Sequence, residues 1–200
     1  MDCNKVGSLL FRLRKEKGMT QKQIADLMNI SDKTISKWER GLGCPDVSLL
    51  GELSAIFKVN IEKILEGELE VNNIDTGNLK RMKFYVCPSC GNVINNTGDA
   101  SISCCGRKLS PLIAKPADEM HTATVEEIDG EYYITFSHEM SKTHFLSFVA
   151  YVTSDRVLFV KLYPEQTAAV RLPKLSGGKL NHKYSGKLYY YCTKDGLWVL

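Results

Sequence analysis

Apolar residues in the first third of the chain return every three or four positions: Val6, Leu9, Leu10 and Leu13; Ile24, Leu27 and Met28; Ile35 and Trp38; Leu50, Leu53, Ile56 and Phe57; Ile61, Ile64 and Leu65. That period puts them on one face of each of five short helices. The punctuation agrees. Gly18 stops the first helix, Thr20 and Ser31 stand where N-caps belong, Gly41 and Pro45 interrupt after the third, and Asn60 caps the fifth. Positions 67–82 are polar and lack a period, with Asn72, Asn73, Gly77 and Asn78 among them, and read as a linker. Beyond Phe84 the pattern changes to alternating aromatic and β-branched residues, as in 132–136, 145–152, 157–163, 169–172 and 188–191. Breaks at Asp129-Gly130, Ser154-Asp155, Pro164 and Gly177-Gly178 turn these runs into short antiparallel strands.

The expected fold class is therefore multidomain α + β. A five-helix domain spans 1–66, a linker 67–82, a small metal-bound knuckle domain 83–115, and a C-terminal antiparallel, immunoglobulin-like β-sandwich 116–200. The chain is 200 residues long, 44% hydrophobic, with a formal charge of +3. Residues 1–66 carry 11 Lys or Arg against 9 Asp or Glu, so charge alone does not announce a nucleic-acid partner. No apolar run approaches the roughly 20 residues that span a bilayer, and no apolar signal region follows Met1, so a cytoplasmic protein with no membrane partner is expected. In that reducing setting seven cysteines speak for metal rather than for a disulfide framework. Cys3 and Cys44 are expected to be ordinary free thiols.

The segment Met19 to Gly41, MTQKQIADLMNISDKTISKWERG, has the landmarks of a helix-turn-helix. Ala25 is small where two helices cross, Ile30 and Ile35 fill the space between them, Trp38 anchors the second helix, and Ser31 caps it so that its first turn is free to enter the major groove. The segment resembles the Cro-like (XRE) family. That resemblance implies a transcription regulator bound to double-stranded DNA as a homodimer, reading half-sites about 34 Å apart. It places Asp32, Lys33 and Lys37 at base edges, with Thr34, Ser36 and Gln21 nearby. Lys33 and Lys37 suit guanine O6 and N7, and Asp32 suits cytosine N4 or reinforces the helix N-terminus. Arg12, Arg14, Lys22 and Arg40 are the expected phosphate contacts.

Farther on, Cys87 and Cys90 form a CxxC pair ending in Gly91, and after thirteen intervening residues Cys104 and Cys105 end in Gly106. Two thiolate pairs on tight turns can surround one tetrahedral ion, and iron and zinc fit equally well. The stretch resembles the desulforedoxin-like domain of desulfoferrodoxins. Three of the four histidines, His121, His138 and His144 but not His182, stand at the intervals of the equatorial iron ligands of superoxide reductases, and the strings DEMH, HEMSKTHFLSFV and YCTKDGLW follow that family's segments. The resemblance implies a second mononuclear iron site with Cys192 as axial thiolate and Glu119 as the acid at the open position. This chain departs from the family at Asp195, which stands in place of the last imidazole, and at Met120, which stands in place of a lysine; Lys142 is the nearby substitute cation. Three readings follow: a regulator sensing superoxide, oxygen or metal; a superoxide reductase carrying a DNA-binding domain; and a zinc-stabilised repressor whose sandwich only assembles subunits.

Overall fold

The computed structural model describes residues 1–74, 77–174 and 186–200. They form two compact units, Met1–Val71 and Asn72–Leu200. Residues 75 and 76 of the expected linker, the Gly177-Gly178 break and His182 lie outside the described residues.

The first unit holds helices α1 (Cys3–Glu16), α2 (Gln21–Leu27), α3 (Asp32–Glu39), α4 (Leu50–Phe57) and α5 (Ile61–Glu66), with a 3-10 turn at Val47–Leu49 leading into α4. Local chemistry sets their starts. Asp2 accepts from the N–H groups of Asn4 and Lys5, Thr20 and Gln23 form a reciprocal capping box, and the Ser31 hydroxyl accepts from Lys33 N–H. Asn60 occupies the N-cap of α5 but makes no side-chain bond there. The apolar stripes meet in one core of Val6, Leu9, Leu10, Ile24, Ile35, Trp38, Leu53 and Ile64 among others. Leu27 departs from its stripe and is 61% exposed. Gly7 is where α1 meets α3: a Cβ there would sit 2.1 Å from the Trp38 carbonyl oxygen.

Two sequence expectations are corrected in this unit. Cys3, at the start of α1, and Cys44, in the loop after α3, are joined as a disulfide with their Cα atoms 5.0 Å apart. The fold returns the α3–α4 loop to the head of α1, a proximity that no local spacing encodes. Arg14, expected on phosphate, is only 6% exposed. Its guanidinium forks onto Glu39, with Nη2 2.8 Å from Oε2, and donates to the Met19 carbonyl at 3.0 Å. The first part of the expected linker also belongs here, because Lys5 pairs with Glu68 and Leu69 packs on the helical core.

The second unit is β-rich. Its strands are β1 (Lys83–Val86), β2 (Val93–Asn96), β3 (Ile102–Cys104), β4 (Arg107–Leu109), β5 (Lys115–Pro116), β6 (Ala123–Ile128), β7 (Glu131–Phe136), β8 (Leu146–Val152), β9 (Val157–Lys161), β10 (Ala169–Pro173), β11 (Lys187–Cys192) and β12 (Gly196–Val199). β1–β2 and β3–β4 are two small hairpins; the larger sheets run β10-β7-β6 and β5-β12-β11-β8-β9. Pairing is antiparallel except between β5 and β12, which run parallel. Tyr132, Ile134, Val170 and Leu172 of the smaller sheet share a core with Leu146, Val149, Tyr151, Leu188, Tyr190 and Trp198 of the larger.

All seven residues of β8 are buried. One set joins that core, while Phe148, Ala150 and Val152 join Phe84 of β1 and Tyr189 in a second cluster. A strand covered on both sides reads as a continuous apolar run rather than an alternation. The knuckle hairpin β1–β2 and the larger sheet are thus packed together within one unit, with Phe84 and Phe148 rings 5.5 Å apart.

Candidate metal centres and nucleic-acid interface

In the helix-turn-helix, Lys33 and Lys37 of α3 are exposed, Asp32 and Arg40 are exposed beside them, and Thr34 and Ser36 are half-buried. Asp32 turns its carboxylate onto Lys33 N–H at 2.8 Å, where it complements the helix N-terminus. Arg40 donates to the Ser36 carbonyl at 3.1 Å, and Arg12 lies near Glu16. Lys22 is exposed. Gln21 donates its amide N–H to Glu39 Oε2 at 2.8 Å, so Glu39 organises Arg14 and Gln21 together. Sequence reading missed Glu39, because the pairing depends on how α1, α2 and α3 pack.

The four knuckle cysteines come together. Their sulfurs all lie within 4.8 Å of one another, with Cys90 and Cys104 3.6 Å apart and Cys104 and Cys105 4.0 Å apart. Four thiolates about 2.3 Å from a tetrahedral ion stand roughly 3.8 Å apart, so the set fits such an ion. The turns that present them use positive φ at Gly91, Cys105 and Gly106. Burial opposes ionisation of Cys87, yet the N–H groups of Cys90 and Ser89 aimed at its sulfur, with the Cys90 and Cys104 thiols, bring it down to about 6. The thiols of Cys90, Cys87 and Cys104 push Cys105 up to about 12. A cation is what allows the whole set to ionise.

The second cluster is built from three separate pieces of chain. His121 ends a 3-10 turn capped by Asp118, His138 and His144 lie in the loop between β7 and β8, and Cys192 ends β11. Their donor atoms again lie within 4.8 Å of one another. Asp195, in the β11–β12 turn, brings Oδ2 to 2.8 Å from His144 Nε2, 3.2 Å from His121 Nε2 and 3.2 Å from Cys192 Sγ. His121 is stacked on Trp198 with ring centroids 4.1 Å apart, and the Tyr190 hydroxyl donates to its carbonyl. Nitrogen, sulfur and carboxylate donors converging at these separations fit a divalent transition-metal ion.

Two residues absent from the sequence reading complete this centre. Asp118 Oδ1 and Glu139 Oε1 each lie 2.8 Å from an outer ring nitrogen, Nδ1 of His121 and of His144 respectively. Such carboxylates hold the ring with Nε2 facing inward. The His121 hydrogen bond keeps Asp118 below the usual carboxylate range, and Ser141 followed by His144 does the same for Glu139. Burial, with His144 and His121 as neighbours, lowers His138; burial raises Cys192 to about 11, helped by the Asp195 carboxylate and opposed by the N–H groups of Asp195 and Lys194. Asp195 is held low by hydrogen bonds from Cys192, His144 and His121.

The centre opens into a cleft of about 490 Å³ lined by Asp118, Met120, His121, Ser137, His138, Glu139, His144 and Asp195. Met120 is 74% exposed at its mouth. Glu119 is exposed outside that lining, and Lys142 lies near Glu165.

The comparisons with known proteins follow the division of the chain. Residues 10–64 match the helix-turn-helix family. A stretch of 80 residues is 38% identical to the HTH-type transcriptional activator BcrR of Enterococcus faecalis, covering 38% of this chain and 39% of that relative. The chain thus matches about two fifths of the length of that curated relative. The superoxide reductase from Treponema pallidum superposes with a TM-score of 0.51 at 17% identity, over 60% of this chain and 98% of that one. At that identity the likeness is one of fold. Among the described residues no helix is long and apolar enough to cross a membrane. The chain joins a helix-turn-helix domain to a β-rich unit with the fold of a superoxide reductase.

Proposed function

We propose that this chain is a sequence-specific DNA-binding transcription regulator, acting as a homodimer, whose β-rich unit reports redox state or metal supply through bound metal. The observation that carries the reading is the convergence of His121, His138, His144 and Cys192, with Asp195 beside them, on a chain that also carries a helix-turn-helix. These residues would hold one ion, iron in the leading reading, and Cys87, Cys90, Cys104 and Cys105 a second, iron or zinc. A bound redox ion would supply one-electron chemistry. The chain's own residues orient the imidazoles through Asp118 and Glu139 and stack His121 on Trp198. A change of one charge at such a centre biases two conformational states by the few kcal/mol typical of coupled sites.

The test is DNA affinity, measured with a sequence selected from a random pool, for the metal-free, reduced and oxidised forms at one salt concentration. The reading expects a change of about 5- to 150-fold between at least two of them. Equal affinities in all three remove sensing and leave the zinc-stabilised repressor, which metal analysis and a colourless protein would mark.

The fold supports a second reading, a superoxide reductase with a DNA-binding domain. Among the described residues that line the cleft, Asp118, Glu139 and Asp195 are acidic, Met120 is uncharged and none is Lys or Arg, a lining that disfavours an anionic substrate. Rapid mixing with superoxide and an electron donor separates the two, since an enzyme consumes superoxide catalytically.

A further inference from the structure

Apart from the two metal centres, the chain carries one redox-competent pair, and it lies on the DNA-binding unit. Cys3 and Cys44 are joined with their Cα atoms 5.0 Å apart, and both residues are partly exposed to solvent. A protein that binds DNA works where DNA is kept. In most cells that compartment holds thiols reduced, and the disulfides found there are mostly transient or redox-sensing. A bridge that the fold permits and the compartment opposes is one that opens and closes with conditions.

The contacts around the pair show what it controls. The head of α1 meets the tail of α3 in three places. A Cβ on Gly7 would sit 2.1 Å from the Trp38 carbonyl oxygen, a Cβ on Gly41 would sit 2.1 Å from Asn4 Oδ1, and Cys3 is bonded to Cys44. The loop that carries Cys44 is tied back to α3, because Leu42 N–H donates to the Lys37 carbonyl and Gly41 N–H to the Trp38 carbonyl, both at 2.9 Å. Lys37 is one of the two exposed lysines of that helix. Two of the three contacts are packing and survive a reductant. The third is covalent and does not.

We infer that Cys3 and Cys44 are a reversible thiol–disulfide site, exchanging with small thiols and disulfides of the glutathione class, whose bridged state holds α3 for tight DNA binding. Cys3 is the first residue of α1, where helix N–H groups stabilise a thiolate, so it is the better leaving group. A reductant thiolate attacks the Cys44 sulfur, the S–S bond breaks and Cys3 leaves as thiolate. A second reductant thiolate then attacks the reductant sulfur of the mixed disulfide and Cys44 is released. Two electrons and two protons pass to the pair, and the two reductant sulfurs end joined to each other; the reverse sequence restores the bridge. This site rests on the DNA-binding reading above and needs neither metal centre.

The experiment equilibrates the full chain, supplied with zinc because that ion has no redox chemistry of its own, in glutathione mixtures graded from reduced to oxidised. Affinity for a DNA sequence selected from a random pool is read by fluorescence anisotropy at one salt concentration, and the bridge by alkylation of Cys3 and Cys44 followed by mass spectrometry. The temperature is one at which helical ellipticity shows both forms folded. Wild type at the reduced end should bind about 5- to 150-fold more weakly than at the oxidised end, in step with the fraction of the pair alkylated. Cys3→Ser and Cys44→Ser should hold the weaker value in every mixture. Constant wild-type affinity while alkylation records opening overturns the inference. So does a bridge that never opens or never closes across the mixtures, or a serine variant that follows the mixtures as wild type does. A chain that binds no selected sequence in any mixture overturns the DNA-binding reading itself, and this site with it.

Discussion

Reducing the Cys3–Cys44 disulfide should loosen the N-terminal unit by an amount that follows from its position. The bridge joins residues 41 apart, from the head of α1 to the loop after α3, and so encloses the whole helix-turn-helix. Closing a loop of that length in the unfolded chain removes about 13 cal/mol/K of entropy, or roughly 4 kcal/mol at 25 °C, and measured disulfides typically contribute about 2–4 kcal/mol. For a unit running Met1–Val71, with unfolding entropy near 2.1 cal/mol/K per residue, this corresponds to a fall in Tm of about 13–27 °C. All five α-helices among the described residues lie in this unit, so helical ellipticity on heating follows it selectively. Wild type without reductant should melt highest; wild type with reductant, Cys3→Ser and Cys44→Ser should melt together at the lower temperature, the serine variants being indifferent to reductant. Coincident melting of oxidised wild type and Cys44→Ser would refute the calculation and return both cysteines to the status of ordinary thiols.

Three further outcomes are expected. Arg14→Leu leaves the Glu39 carboxylate, whose side chain is 3% exposed, without its cationic partner and should cost about 3–5 kcal/mol in denaturant unfolding, whereas Arg14→Leu with Glu39→Leu should recover most of it; a neutral single variant defeats this account. Phe84→Ala empties the space between Phe148 and Tyr189 and should destabilise the β-rich unit by about 3–5 kcal/mol, followed by near-ultraviolet dichroism; an unchanged transition means that this cluster is dispensable. Asp46 accepts from the hydroxyl and then the N–H of Ser48, which holds its carboxyl below the ordinary 3.8; its contribution is present above that value and is lost as pH falls through the lower, folded-state value. Acid unfolding profiles of wild type and Ser48→Ala should therefore diverge above that range and converge at the lowest pH, and parallel profiles would dispose of the bond's role.

What could be read from the residues was mostly what is local. Thr20, Gln23 and Ser31 announce helix starts because capping chemistry acts within three positions, and the CxxC and CC pairs announce a cluster because each knuckle fixes two sulfurs at once. Strand β6, reading ATVEEI, escaped notice because Glu126 and Glu127 are exposed and it holds few apolar residues to count. Arg14, placed on phosphate for its charge, is buried by the packing of α1 on α3. The Cys3–Cys44 bridge has no local signature, and expecting a reducing compartment pointed away from it. At the second centre, the resemblance to superoxide reductases singled out His121, His138, His144 and Cys192. The different surroundings of their outer nitrogens, Asp118, Glu139 and Met140 N–H, arise only once the loops are folded.

Strand β8 starts two residues after His144, and its Phe148 meets Phe84, three residues ahead of Cys87. A single stiff rod therefore has one end beside the imidazoles and its flank against the root of the sulfur knuckle. Were both centres to take up an ion, a shift at one would reach the other through this strand, so occupancy of one is expected to register in the spectrum of the other.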